Sequence, residues 1–276
     1  LTGGEPFGDW PRLAAICRAA ADEGLGPLEK VETNAYWATD DRTIRDRLAL
    51  LDEAGMSKLS ISADPYHQQF VPIDRPRRLA AIAEELLGAG RVQVRWRDWL
   101  AAGYNMAEGT ARQCRDAFER WARAGRDRLH GRAGARLAPL LPLMSADHWA
   151  DVSCSESLLR CRHVHILPDG SVCPGTCFGL TVGTVAERTI GEIWMELDAD
   201  HRHRPILGVL TAHGPSGLLA LADRLGLEVP RAAASACHLC WMARCRLRQA
   251  GAGGKELGPH WTYSPGSART AAAKEG

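Results

Sequence analysis

The sequence predicts a mixed α/β fold made of consecutive βα units, followed by a smaller cysteine-rich domain. Short apolar runs alternate with amphipathic stretches of helical period through residues 1–148, which is typical of a parallel sheet with right-handed crossovers. The strand-like runs recur at about the length of one βαβ unit. Beyond them, seven of the nine cysteines lie between Cys154 and Cys245. We therefore predict two domains, 1–148 and 149–250, followed by a loosely ordered tail at 251–276.

The elements of the first domain carry their own start and stop signals. Strands are predicted in "LEKVETNAYW", "KLSISADPYH" and "RVQVRW", which are rich in β-branched or alternating apolar residues. Asp9 is the predicted N-cap of the first helix, with Pro11 in its first turn. Gly55 and Gly88 follow the helices in "TIRDRLALLDEAG" and "RPRRLAAIAEELLG". A further helix is predicted at 110–125, and "ARLAPLLPLM" is interpreted as a closing strand.

Polar loops follow the predicted strands. The segments "TGGEP", "TNAYW" and "SADPYH" fall where parallel strands end. In parallel sheets, ligands bind at the carboxyl ends of the strands. These three loops are therefore the first indication of a binding site.

The composition argues against two classes of partner. A formal net charge of +1 gives no electrostatic basis for binding nucleic acid or an anionic membrane. No apolar run approaches the roughly 18 residues that a membrane helix needs.

Clustered cysteines in a cytosolic chain indicate metal or an iron–sulfur centre rather than a disulfide framework. We expect a cytoplasmic protein with no nucleic-acid or membrane partner.

The segment "CRHVHILPDGSVCPGTC" is typical of a β-hairpin, and we predict that its Asp-Gly dipeptide forms a two-residue turn. That turn sets Ile166 opposite Cys173. It also sets Arg162 opposite Cys177, so that Cys161 is diagonal to Cys177. Diagonal neighbours in a hairpin remain within reach of each other. Cys161 and Cys177 are therefore expected to meet at the open end of the hairpin.

A second pair of cysteines, Cys237 and Cys240, forms the CxxC motif "CHLC". Together with Cys161 and Cys177 they make a predicted four-thiolate site. Zinc and an iron–sulfur cluster both suit four thiolates, and the spacing does not separate them. The alternative is a set of buried free cysteines, which the CxxC motif and the hairpin disfavour. Two further cysteines are rival ligands for one position: Cys154 and Cys245.

The order of these motifs resembles that of radical SAM enzymes with a C-terminal SPASM/twitch-type auxiliary-cluster domain. The resemblance rests on "TGGEP", "TNAYW", "SISADPYH", "PDGSVCPGTC" and "CHLC" and extends over residues 1 to about 246. It implies a partial (βα)6 barrel. In that family a 4Fe–4S cluster on a CxxxCxxC loop binds S-adenosylmethionine and cleaves it reductively to a 5′-deoxyadenosyl radical. The residues that the resemblance assigns to cofactor binding are Gly3, Gly4, Glu5, Asn34, Ser62 and Asp64.

Some of these residues have another interpretation. The alternative for residues 62–64 is a loop that caps the following helix. Tyr66 and His67 are in a position to face substrate, but a hydrogen-bonded loop histidine is the commoner outcome. The sequence therefore assigns no catalytic residue.

Two features depart from the family pattern. The auxiliary module reads C-x2-C-x4-C, where the family has a longer last gap and one more cysteine, so one auxiliary 4Fe–4S cluster is expected. No CxxxCxxC occurs in the 276 residues, and the family places this motif just upstream of the GGEP strand. We therefore expect a truncated chain that lacks the first βα unit and begins with the end of a buried strand at Leu1 and Thr2.

The resemblance predicts a radical SAM oxidoreductase that requires an electron donor and modifies a substrate, for which a peptide or protein is the first candidate. The chain as given is expected to be inactive, because the radical-generating cluster needs the missing motif. The alternative is a different class of protein, a non-catalytic zinc- or cluster-stabilised binding module on a degenerate barrel.

Overall fold

The computed structural model describes residues 1–2, 4–125 and 127–263. The chain divides into two compact units, the first Leu1–Trp121 and the second from Ala122 onward, each with its own hydrophobic core. This division lies earlier in the chain than the expected boundary after residue 148. Of the predicted tail, residues 264–276 lie outside the described residues. The part that is described, up to Tyr263, packs against the core of the second unit.

The first unit contains a parallel three-stranded sheet in the order β1-β2-β3. Its strands are β1 (Val31–Thr33), β2 (Leu59–Ile61) and β3 (Val92–Val94). Val31 pairs with Leu59, and Leu59 pairs with Val92. The three strands that the sequence predicts are confirmed, and this unit is mixed α/β with parallel strands.

Helices connect the strands of the first unit. The helices are α1 (Trp10–Asp22), α2 (Asp41–Glu53), α3 (Asp74–Leu87), α4 (Arg97–Ala102) and α5 (Ala111–Arg123). Asp9 caps α1 by accepting a hydrogen bond from the backbone N–H of Arg12, as predicted. Ile44, Leu48 and Leu51 of α2 are fully buried, since their spacing puts them on one face of the helix.

Leu1 lies beside β1. Its amino group donates to the carbonyl of Lys30 at 2.6 Å, and its carbonyl accepts from the N–H of Glu32 at 3.0 Å. This is how a residue of a parallel neighbouring strand would bond to β1. Leu1 is nevertheless 42% exposed. The expectation of a buried strand end is therefore wrong, although the residue does sit at the edge of the sheet.

The second unit combines helices with two small antiparallel sheets. Its helices are α6 (Gly131–Leu137), α7 (Ser155–Leu159), α8 (Ile190–Asp200), α9 (Leu207–Arg224) and α10 (Ala236–Gln249). One sheet pairs β4 (Met144–Ser145) with β8 (Ala232–Ala233). The other has the order β5-β6-β7, formed by β5 (Val164–Ile166), β6 (Ser171–Pro174) and β7 (Gly183–Thr184).

The predicted closing strand in "ARLAPLLPLM" is wrong. Its first residues complete α6, a turn of 3-10 helix follows at Ala138–Leu140, and β4 begins only at Met144. Pro139 and Pro142 have no backbone N–H and so cannot donate to a sheet ladder there.

The hairpin is present, but its predicted register is wrong by one residue. Cys173 pairs with His165 instead of Ile166. The loop has three residues, Pro168–Gly170, because the N–H of Gly170 donates to the carbonyl of Leu167 and Gly170 takes a φ of 81°. A proline-led turn closed by a glycine in the left-handed region is a common three-residue hairpin loop.

No single helix in the described part of the chain is both long and apolar enough to cross a bilayer. Two consecutive helical segments, Ile190–His203 and Leu207–Arg224, reach that length and apolar composition only when taken together. They are bent by 55° relative to each other.

Helix α9 is broken in its middle by Gly214 and Pro215. Gly214 has φ 57° and ψ −152°, and Pro215 has no N–H to offer the carbonyl of Thr211. That carbonyl instead accepts from the hydroxyl of Ser153 at 3.0 Å. The carbonyl of Leu210 accepts from the N–H of Cys154 at 3.1 Å. The break therefore anchors the segment that carries Cys154.

Replacing Gly214 by alanine should destabilise the protein by roughly 3–5 kcal/mol. A Cβ atom there would overlap the carbonyl oxygen of Val152, and φ lies in the left-handed region. Chemical denaturation followed by circular dichroism measures the effect. The matched control is Gly191→Ala, an exposed position in the first turn of α8 with open space around it, where a change of at most about 1 kcal/mol toward higher stability is expected. Equal effects of the two substitutions would contradict this account of the break.

Candidate functional site

Four cysteines border one cavity in the second unit. The cavity has a volume of about 200 Å³, and we call it the cysteine cavity. Its cysteines are Cys154, Cys177, Cys237 and Cys240. Three cationic or titratable side chains also line it, Arg128, His130 and Arg244, and apolar residues such as Leu158, Leu180 and Leu210 close the rest.

Helix α10 supplies two of the cysteines. Ser235 caps this helix by accepting from the N–H of His238 at 3.1 Å, so Cys237 and Cys240 lie in the first turns. Spacing of three residues puts both cysteines toward the same side of the helix.

The other two cysteines come from loops fixed by backbone hydrogen bonds. Cys177 follows β6, in a turn closed by its N–H to the carbonyl of Pro174 at 3.0 Å. Cys154 precedes α7 and is held by the carbonyl of Leu210 in the broken helix α9. Three separate parts of the second unit thus converge on the cavity.

Burial makes the thiols of Cys154 and Cys177 costly to ionise when nothing is bound to them. Burial first, and then the nearby Cys240, Cys177 and Cys237, raise the pKa of Cys154 to about 12. Burial also raises the pKa of Cys177 to about 11, although the charge of Arg128 opposes this shift.

Arg244 brings a buried positive charge to the cysteine cavity. Its side chain is 3% exposed and lies over the rings of Trp241 and Tyr263, 5.3 and 5.9 Å from their centroids. Its Nη1 donates to the carbonyl of Phe178 at 2.9 Å and to the hydroxyl of Tyr263 at 3.2 Å. Its Nε is buried with no hydrogen-bond partner in the described residues.

The electrostatic partners of Arg244 are thiols and a phenol. Burial alone would lower the pKa of Arg244, but Cys240, Tyr263 and Cys177 raise it above its ordinary value. No carboxylate among the described residues forms an ion pair with it. Its hydrogen bonds to Phe178 and Tyr263 and its contacts with two aromatic rings offset part of the cost of burying this charge, and an anion in the cavity would offset more.

Arg128 supplies a second guanidinium. It is exposed, and its Nη1 donates to the sulfur of Cys177 at 3.4 Å. His130 also lines the cavity, but burial and the charge of Arg244 lower its pKa to about 4. His130 is therefore neutral at pH 7 and adds no positive charge.

Three of the four predicted metal ligands meet at the cysteine cavity. They are Cys177, Cys237 and Cys240. The fourth predicted ligand, Cys161, does not line the cavity. Its thiol lies 3.9 Å from the carbonyl of Leu158, to which it donates. Of the two rivals, Cys154 borders the cavity and Cys245 does not. The described residues include no group of three or more His, Cys, Asp or Glu side chains closed tightly enough around one point to hold a single ion.

Sequence reasoning missed the cationic lining of the cavity. Arg244 lies four residues after Cys240, one helical turn away on the same face, and this spacing was the available signal. Arg128 and His130 carried no such signal, because they are far from every cysteine in the sequence.

The loops predicted to bind the cofactor lie at the carboxyl edge of the sheet in the first unit. Glu5 joins two of them. Its carboxylate accepts from the hydroxyl of Thr33 at 2.9 Å, from the N–H of Asn34 at 2.6 Å and from the N–H of Phe7 at 3.1 Å. Most of the acceptor capacity of Glu5 is therefore used within the chain. Gly3 lies outside the described residues.

Asp64 is bound within its own loop. It is 1% exposed and accepts from the N–H groups of Tyr66 and His67 and from the ring of His67 at 2.8 Å. These bonds are those of a capping loop around the turn His67–Gln69. Asn34 and Ser62 are half-buried at the same edge, where the N–H of Ser62 donates to the carbonyl of Thr33.

No protein-family model matches the chain, and no curated protein matches it either.

Replacing Asp64 by asparagine should cost about 1.5–3 kcal/mol of stability at pH 7. Burial would raise the pKa of Asp64, but the hydrogen bonds and charge of His67 and the charge of Arg95 outweigh it and lower the pKa. The contribution of a group whose folded-state pKa is lowered is complete above its unfolded value of about 3.9 and is lost as the pH falls through the folded value. The difference between wild type and Asp64→Asn should therefore be fully present at about pH 5 and narrow below about pH 4.

Urea denaturation across this pH range measures the difference. Asp46→Asn is the matched control, since Asp46 is exposed and makes only a 3.8 Å ion pair with Arg42, and it should change stability by at most about 0.5 kcal/mol. A difference for Asp64→Asn that stays flat down to about pH 3 would show that this carboxylate does not titrate with folding.

Proposed function

We propose that the second unit holds one 4Fe–4S cluster in the cysteine cavity and that the chain is part of a radical SAM-type oxidoreductase. A single observation carries this proposal: four cysteines from three parts of the unit border one cavity whose wall contains a buried guanidinium with no carboxylate partner.

The charge of the cavity wall fits a thiolate-bound group. Four thiolates around an oxidised cubane cluster leave a net negative charge, which Arg244 and Arg128 would offset. The unpartnered Nε of Arg244 would then face an anionic group instead of an apolar void. Neutral free thiols would leave this buried cation with only its hydrogen bonds and aromatic contacts as compensation.

A cluster and a single zinc ion place different demands on four thiolates. Zinc–sulfur bonds are about 2.3 Å long, so the four sulfur atoms of a zinc site crowd around one point. A four-iron cluster is several atoms across and holds its ligand sulfurs further apart. We favour the cluster because the described residues include no single-ion site, while four cysteines line a cavity of about 200 Å³. When bound, such a cluster supplies electron transfer.

The first unit supports the radical SAM part of the proposal by its topology. Consecutive βα units with adjacent parallel strands are the repeating element of a (βα)6 barrel, which we propose as the parent fold. Gly4, Asn34 and Ser62 are the residues we assign to S-adenosylmethionine at the carboxyl edge. Glu5 and Asp64 would support them by fixing the loops, since their carboxylates are already engaged within the chain.

The activity that we propose is reductive cleavage of S-adenosylmethionine to a 5′-deoxyadenosyl radical that modifies a substrate, with a peptide or protein as the first candidate. An electron donor would serve the cluster, and a cytoplasmic location remains our prediction. The 276 residues contain no CxxxCxxC, so we assign the cleavage only to a form of the protein that carries that motif.

Anaerobic reconstitution with iron and sulfide tests the cluster. We expect brown protein with about four irons per chain. The double substitution Cys237→Ala and Cys240→Ala should remove the iron. A matched pair then distinguishes the fourth ligand, because Cys154 and Cys161 are both half-buried but only Cys154 borders the cavity. Cys154→Ala should lose most of the iron and Cys161→Ala should keep it.

If Cys161→Ala instead lost the iron and Cys154→Ala kept it, Cys161 would be the fourth ligand, as the sequence predicted. A colourless protein with about one zinc per chain would instead favour the non-catalytic binding module.

Residues 1–276 alone should release no 5′-deoxyadenosine under strong reductant. A form with CxxxCxxC upstream of Leu1 should release it, and replacement of the three motif cysteines by alanine should abolish the product, as measured by chromatography. If the motif-bearing form yields none, the enzyme proposal fails even where the auxiliary cluster is present.

A further inference from the structure

Two guanidinium groups approach the cysteine cavity from different environments. Arg244 is buried beside Cys240 on α10, and Arg128 is exposed and donates to the sulfur of Cys177 at 3.4 Å. Hydrogen bonds from Arg244 Nη1 to Phe178 and Tyr263 fix the position of its charge. Neither arginine forms an ion pair with a carboxylate among the described residues.

We propose that Arg244 and Arg128 are positioning residues that raise the reduction potential of the cluster in the cysteine cavity. This inference rests on the proposed function, since it requires that a cluster is bound there. It adds that the site is built to accept an electron readily from the donor.

The physical reason is the sign of the charge. Reduction adds one electron to a group that is already negative, so a nearby fixed positive charge stabilises the reduced state more than the oxidised state. Net charge, hydrogen bonds to the sulfurs and solvent exposure are the features by which proteins set cluster potentials. Arg244 contributes charge in a region with little water, and Arg128 contributes a hydrogen bond to a ligand sulfur.

The two arginines should differ in their response to salt. Counterions screen interactions of exposed charges over about 10 Å at 0.1 M ionic strength and over about 3 Å at 1 M. Arg128 is exposed, so part of its effect should disappear at high salt. Arg244 is buried, so its effect should persist.

The experiment is a redox titration of the reconstituted full chain, followed by electron paramagnetic resonance, with iron quantified for every variant. The variants are Arg244→Met, Arg244→Lys and Arg128→Met, each titrated at low and at 1 M salt. Arg246→Met is the matched control, because Arg246 lies two residues further along the same helix but is exposed and hydrogen-bonded to Gln249.

We expect Arg244→Met to shift the midpoint potential to a more negative value at both salt concentrations. Arg244→Lys should keep the midpoint potential close to the wild-type value, because lysine keeps the charge although it lacks the planar fork of donors. Arg128→Met should shift the midpoint in the same direction, with a smaller shift at 1 M salt. Arg246→Met should leave it unchanged.

An unchanged or more positive midpoint in Arg244→Met with full iron content overturns the assignment of Arg244. The assignment would also be overturned if Arg244→Lys shifted the midpoint as much as Arg244→Met, since packing rather than charge would then be responsible. If Arg244→Met does not fold or loads no iron, Arg128→Met decides the proposal by the same criterion. Absence of iron from the wild-type chain is a separate result that overturns the proposed function and this inference with it.

Discussion

The break in α9 fixes the loop that carries Cys154. The geometry of the cysteine cavity depends on this break. Pro215 removes the donor that the carbonyl of Thr211 would have had in a continuous helix, and Ser153 takes its place. The neighbouring Cys154 is fixed by Leu210 in the same turn. Gly214 allows the chain to turn there without overlapping Val152. A local defect in one helix thus provides the acceptors that bring a distant loop to α10.

The buried charge of Arg244 then limits what the cavity can contain. Burying a guanidinium is costly even with polar partners, and the described partners of Arg244 are the carbonyl of Phe178, the hydroxyl of Tyr263, the ring of Trp241 and neighbouring thiols. Ligation by metal would convert those thiols to thiolates and supply the missing negative charge. In the absence of metal, burial keeps the pKa of Cys154 and Cys177 far above neutrality. The fold and the ionisation of the cysteines are therefore coupled through one side chain.

Local signals predicted most of the strands and caps, whereas the cavity is assembled from segments that are distant in sequence. The strands at Leu59–Ile61 and Val92–Val94 and the cap at Asp9 follow from patterns within a few residues. The hairpin was recognised, but its register depends on whether Pro168 belongs to the turn, and a shift of one residue changes every pairing. The approach of Cys154 to α10 depends on the break in α9, about 60 residues along the chain, which no local spacing encodes.

The carboxylates at the sheet edge of the first unit differ from Arg244, because their oxygens already have hydrogen-bond partners. Glu5 and Asp64 are satisfied by groups of their own chain, so they shape the loops at the ends of β1 and β2 instead of presenting free acceptors to a ligand. Arg244 has a buried donor without a partner among the described residues, as Arg47 has in the first unit, and a ligand that supplied an acceptor there would be stabilising. The sequence motifs singled out Glu5 and Asp64 and overlooked Arg244. The hydrogen-bond partners of these residues distinguish two satisfied carboxylates from a guanidinium with a donor left for a ligand.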